Sequence, residues 1–214
     1  VPNDEFFETK EKFLKKYGQL LPLDIKPTSI FYNKINHGEF NKFGKVGVII
    51  PTLGKTDFLF DCIDSFIKNC NTSILEFYIA DTGSNNEDKE MIKQYILDNE
   101  SKIKVKFIEY DYYHFARINN DVVKNHLSPD IKFLLFCNND ITLLNDVVGG
   151  MLNIYRKFPN AGTVGCRLHF EDNTLQHNGI ITVLKKETKK ILPEHIGIGS
   201  YYRYIPEITK VSAN

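Results

Sequence analysis

The amino-acid sequence predicts an α/β fold, a mainly parallel sheet flanked by helices on both faces, preceded by an N-terminal helical extension. Three observations carry this. Val46–Ile50 and Phe133–Cys137 are short continuous apolar runs, the pattern of strands buried on both faces, and the run Leu75–Ala80, apolar but for Glu76, reads as a further strand. Segments with apolar residues at helical spacing alternate with them, as in a parallel sheet with crossover helices. The three runs end in polar motifs, Pro51-Thr52, Asp81-Thr82-Gly83-Ser84 and Asn138-Asn139-Asp140. Open α/β sheets bind ligands at the carboxyl ends of their strands, so polar tips in one register imply one shared site.

Residues 4–17 place Phe6, Phe7, Phe13, Leu14 and Tyr17 among alternating charges and predict an amphipathic helix; residues 18–44, with Pro22, Pro27, Gly38 and Gly44, read as a connector. A domain over 45–214 follows. Its first strand, 46–50, leads to a helix striped by Leu59, Cys62, Ile63, Phe66 and Ile67. The second strand, 75–80, precedes a helix carrying Ile92, Tyr95 and Ile96, for which Ser84 and Glu87 offer a capping box. Ile103, Val105 and Phe107 alternate with Lys104 and Lys106, so the third strand has one wet face and belongs near an edge. Residues 115–127 read as helical, 133–137 as a buried-type strand, and 146–158 as a helix stopped by Pro159. Two further strands, 163–168 and 174–184, join through Glu171-Asp172-Asn173.

Lys plus Arg equals Asp plus Glu at 27 each among 214 residues, so no overall field favours nucleic acid or an anionic membrane surface. Cys62, Cys70, Cys137 and Cys166 form no CxxC pair, which argues against a zinc site or a disulfide framework and fits a reducing compartment. No stretch has the roughly 18 continuous apolar residues of a membrane span. A cytoplasmic location is expected. GxGxxG, GxxxxGK[ST] and GxSxG are all absent, which disfavours a dinucleotide fold, a P-loop and a hydrolase elbow.

At the tips, the Asp81 carboxylate suits a ribose hydroxyl or a base N–H, with Gly83 allowing the chain to turn; an Asx turn opening the next helix accounts for the same residues. Asp140 offers a carboxylate, and Asn138 an amide oxygen, to a hard divalent cation such as Mg²⁺ or Mn²⁺ bridging to a substrate diphosphate. A helix cap near Asn145 is the competing reading.

In order and spacing, Val46–Thr52, Tyr78–Ser84 and Leu134–Asp140 resemble family 2 glycosyltransferases of the GT-A fold. Gly162–Leu168 and Leu175–Gly179 resemble the "vGavGakLl" and "iQHaG" stretches of bacterial members that build surface polysaccharides, and Phe115–Asn120 resembles the family's "fa.a.NN.g" segment. The resemblance covers residues 45–214 and implies an inverting transferase that moves a sugar from a UDP-, dTDP- or GDP-sugar to a growing glycan or lipid-linked glycan. It assigns the donor nucleotide to Pro51, Thr52, Leu53, Asp81, Gly83, Arg117, Asn120 and Asn139, the metal to Asp140 and Asn138, and the sugar or acceptor side to His177. It also implies a carboxylate base downstream of a segment like Val211–Asn214, hence beyond Asn214, and allows peripheral association of the parent protein with the inner membrane face. The family's first DxD aspartate is Asn138, and a usual glycine is Val122. Guanidinium forks match phosphate oxygens, which suits Arg117, although a surface ion pair or a structural strand histidine would equally explain Arg117 and His177. A sugar-1-phosphate nucleotidyltransferase and a noncatalytic interaction module are the alternatives.

Overall fold

The computed structural model describes residues 44–172, 174–185 and 190–200. The helix expected over 4–17, and its connector up to residue 43, lie outside the described residues. Of those described, the residues up to Ala161 form one compact unit and those from Gly162 another.

The first unit contains β1 (Lys45–Thr52), α1 (Thr56–Asn69), β2 (Leu75–Asp81), α2 (Asn86–Asp98), β3 (Lys104–Glu109), α3 (Phe115–Asp121), β4 (Ile131–Phe136) and α4 (Val147–Lys157). The strands form one parallel sheet in the order β3-β2-β1-β4. β1 and β2 occupy its centre, and the runs that predicted them are buried on both faces. Val48, Ile50, Phe77 and Ile79 face a core built with Leu59, Ile63 and Phe66 of α1, Ile92 of α2 and Leu152 of α4. Ile49, Tyr78 and Ala80 face the opposite side, against Ile118 of α3 and Val122. Alternate side chains of one strand thus feed two layers.

Pro51 lies inside a central strand, where a missing N–H ordinarily breaks the ladder. Ile49 O accepts from Cys137 N on the β4 side, and Thr52 O accepts from Thr82 N on the β2 side. Pro51, in phase with Ile49, therefore points toward β4, whose pairing with β1 has ended at Ile49↔Phe136. Its N–H is not needed there.

Several local expectations are corrected. β4 is not buried on both faces: Lys132, Leu134 and Phe136 are exposed while Phe133 and Leu135 pack on the core, because among the described residues β4 lies at the sheet edge. The α2 cap is Asn85, whose side chain accepts from Asp88 N at 2.8 Å, and not a Ser84–Glu87 box. Ser84 is diverted to the β1 loop. The helix expected over 115–127 is α-helical only to Asp121 and continues as a π-helical turn, Val122–His126. The α4 cap is Asp146, accepting from Gly149 N at 2.9 Å.

The second unit holds β5 (Leu168–His169) paired with β6 (Leu175–His177), and β7 (Ile180–Lys185) paired with β8 (Lys190–His195), both antiparallel. The strand expected over 163–168 is reduced to β5. That over 174–184 is split at Gly179, whose φ of 106° only glycine adopts freely and which turns the chain between β6 and β7. No described helix is long and apolar enough to cross a membrane.

Candidate functional site

Thr52, Asp81 and Glu109 end three adjacent strands in one register, Thr52↔Asp81 and Asp81↔Glu109. The tips are tied together by hydrogen bonds. Thr82 donates to Thr52 O from both its backbone N and its Oγ1, each at 2.8 Å. Gly54 N donates to Ser84 Oγ at 2.7 Å, fastening the loop after β1 to the loop after β2. Asn139 Nδ2 donates to Thr52 Oγ1 at 3.0 Å, bringing in the end of β4. The β1 loop then passes through Gly54 and Lys55, both left-handed, with Lys55 at φ 50°. A left-handed lysine is strained by about 1 kcal/mol, and such strain concentrates at ligand-binding turns.

Asp81 is fully buried. Its two carboxylate oxygens accept from Ser84 N at 3.2 and 3.3 Å, the Asx-type geometry that the sequence allowed. Lys89, in the first turns of α2, lies 3.7 Å from Asp81 Oδ2 and 2.8 Å from Glu109 Oε2. The Lys89 bond holds the Glu109 carboxyl below its ordinary range, and Glu109 in turn raises the Lys89 ammonium. Gly83, Lys89, Glu109, Tyr110 and Asp111 line an open depression of about 480 Å³ beside these tips. Lys89 and Glu109 were missed by sequence reasoning, although Glu109 ends a strand in the same way as Asp81.

Pro51 is half-buried at the end of β1, Leu53 is 55% exposed just beyond it, and Gly83 turns with φ 112° into open space. Asn138 and Asp140 are exposed at the β4 tip. In α3, Arg117 is exposed with its guanidinium 5.1 Å from the Tyr112 ring centroid, and no carboxylate among the described residues pairs with it. Tyr112 meets Tyr110 edge to face, and Tyr110 N donates to Asp81 O at 2.8 Å, so contacts run from the β2 tip to Arg117. Asn120 is exposed, whereas its neighbour Asn119 is buried and donates to Phe115 O.

His177 belongs to the second unit. Its Nδ1 lies 2.9 Å from Nδ1 of His195, with the rings at 78°. Burial, and to a lesser degree the neighbouring His195, lower the His177 pKa. His195 was another partner that the sequence did not reveal.

The profile of Glycosyl transferase family 2 matches residues 47–203. The chain belongs to glycosyltransferase family 2. The parallel sheet with helices on both faces is this family's GT-A architecture. The chain is similar to the O-antigen biosynthesis protein RfbC of Myxococcus xanthus, with 26% identity over 139 residues, 64% of this chain and 10% of that protein. It thus spans about a tenth of that relative's length. Among solved structures it is similar to S. aureus TarS 1-349 in complex with UDP (TM-score 0.45, 15% identity, 57% of this chain, 38% of the other). It is also similar to the mannosyltransferase PcManGT of Pyrobaculum calidifontis in complex with GDP-Man and Mn²⁺ (0.46, 14%, 74% and 42%).

Proposed function

We propose that this chain carries the donor-binding part of an inverting glycosyltransferase, which moves a sugar from a nucleotide diphosphate to a growing cell-surface glycan or lipid-linked glycan. The observation that carries this is the convergence of Thr52, the Asp81–Ser84 loop and Asn139 at one sheet end, in a chain of family 2. The relationship to an O-antigen biosynthesis protein supports a surface glycan as the acceptor. Nucleotide sugars are made in the cytoplasm, so the donor site belongs on that side, with the parent protein working at the inner membrane face.

In this reading the β1 and β2 loops hold the nucleoside, and Arg117 reaches the diphosphate through its fork of N–H donors. Asn139 fixes the end of β4, so that Asp140 and Asn138 stand at the diphosphate end of the donor. His177 serves the sugar or acceptor side.

A divalent cation fits the donor set. Asp140 and Asn138 present hard oxygen atoms at an exposed tip, while the neighbouring Asn139 is spent on Thr52. No group of three or more His, Cys, Asp or Glu among the described residues could hold a metal by itself, so donor phosphate and water would complete the shell. When bound there, Mn²⁺ or Mg²⁺ neutralises charge on the departing diphosphate.

The test is calorimetric titration of UDP, GDP and dTDP into the protein with and without Mn²⁺, repeated on Asp140→Ala. Metal-dependent binding weakened at least about tenfold by the substitution is expected for a carboxylate ligand. Absence of nucleotide binding under every condition would overturn the reading.

A further inference from the structure

We propose that Lys89 and Glu109 together read the donor's nucleobase, with Asp81 held behind them as a positioning residue, and that the preferred edge is a carbonyl beside an N–H. This deepens the donor-site reading above and rests on it.

Asp81 cannot meet a ligand as it stands. Its carboxylate has no exposed surface, Ser84 N is shared between both oxygens, and the Lys89 ammonium lies 3.7 Å from Oδ2. The charged groups open to the depression are Lys89, with 21% of its side chain exposed, Glu109, with 45%, and the exposed Asp111, and of these Lys89 and Glu109 are paired with each other. Lys89 has three N–H donors. One is engaged by Glu109 at 2.8 Å, and Asp81 Oδ2 at 3.7 Å is an ion-pair neighbour beyond hydrogen-bond length, which leaves at least one for a ligand. Glu109 receives Lys89 on Oε2, and its Oε1 is 3.8 Å from Lys93, too long for a hydrogen bond. That oxygen is left to accept from a ligand.

The surroundings point to a base and not to phosphate. Two carboxylates, Glu109 and Asp111, line the depression against one ammonium, so its field repels a diphosphate and favours N–H groups. Gly83 leaves open space where a side chain would stand. Tyr110 also lines the depression, its side chain fixed by its hydroxyl, which donates to Asp121 Oδ2 at 2.7 Å. An ammonium beside a carboxylate pairs with the carbonyl and imide-type N–H shared by uracil, thymine and guanine. Such an N–H is more acidic than the amino N–H of cytosine or adenine, and gives the stronger bond to a carboxylate.

The experiment is calorimetry on the full chain with Mn²⁺, comparing UDP and GDP with CDP and ADP, and using inorganic pyrophosphate as the base-free probe. UDP or GDP is expected to bind at least about tenfold tighter than CDP or ADP, the worth of one hydrogen bond to a charged group. Lys89→Met and the near-isosteric Glu109→Gln should each bring the two classes to within about threefold while leaving pyrophosphate binding unchanged. Lys89→Arg, which keeps the charge and the donors, should restore part of the preference. Thermal melts confirm that each variant is folded. A wild-type protein that binds all four nucleotides equally, or variants that bind with an unaltered UDP-to-CDP ratio, would overturn this proposal and leave the donor site standing. A wild-type protein that binds no nucleotide would overturn the donor site and this proposal together.

Discussion

Asn139 donates its side-chain amide to Thr52 Oγ1 at 3.0 Å, joining the tips of β4 and β1 across 87 residues of sequence. Asn139→Ala should cost about 1 kcal/mol of stability, the usual worth of a partly buried neutral hydrogen bond. It should also let the segment carrying Asp140 move. Nucleotide affinity should fall more in the presence of Mn²⁺ than in its absence, as read by calorimetry of the variant with and without the metal. An equal fall in both conditions would mean that Asn139 serves only the nucleoside.

Ser84→Ala removes the acceptor of Gly54 N, which is held at 2.7 Å in the wild-type protein. A partly buried N–H without a partner costs about 1–2 kcal/mol. The strained turn through Lys55 loses its fastening to the β2 loop at the same time. The expected result is a melting point lower by several degrees and faster amide hydrogen exchange confined to residues 53–56. Unchanged protection at Gly54 would show that the bond contributes little.

At the opposite end of the sheet, Glu76 is fully buried in β2. Burial raises its carboxyl pKa, but hydrogen bonds from Lys104, Ser128 and Tyr78 outweigh that and hold it down at about 2. A depressed carboxyl gives stability that is present above its unfolded pKa and lost as pH falls toward the folded value. Unfolding free energy should therefore drop by about 3 kcal/mol between pH 5 and pH 2 on account of this group. In Glu76→Gln that part of the acid sensitivity should vanish, and the variant should be less stable at pH 7. Urea titrations of both proteins across this range supply the check.

The His177–His195 contact predicts a response at milder acidity. The His177 pKa is lowered, chiefly by burial, so folding favours its neutral form, and the stability present above the unfolded value near 6.5 is lost as pH falls. His195→Ala should move the His177 pKa upward yet leave it below the ordinary value, because burial, the larger cause, remains. Proton NMR titration of the imidazole signals measures this directly. No upward movement would mean that His195 has no electrical effect on its neighbour.

The central sheet was legible because Val46–Ile50 is a continuous apolar run and Leu75–Ala80 is apolar but for Glu76, and in the structure both faces of these strands are covered. The same pattern misled at Phe133–Phe136, since composition records that all four residues are apolar but not which face finds a partner. Ser84 and Asn85 are equally able to cap a helix. Only the position of Gly54, thirty residues away, decides that Ser84 goes to the loop and Asn85 to α2. The tip rule singled out Thr52, Asp81 and Asn139, whereas nothing in the sequence singled out Lys89, whose ion pairs depend on two carboxylates brought in by β2 and β3. His195 could not be found because the hairpin that delivers it, β7–β8, was not foreseen.

The strand order β3-β2-β1-β4 also has a consequence for the timing of synthesis. A nascent chain that has left the ribosome only as far as β3 already holds Asp81, Lys89 and Glu109, but neither Asn139 nor Asp140. At the proposed donor site, nucleotide can act as a folding ligand only once the native pocket exists, so its help is withheld until β4 has emerged and docked beside β1. Within this sheet β1 must wait, with one edge open, for β4. During that interval a chaperone, and not the substrate, is the available source of protection.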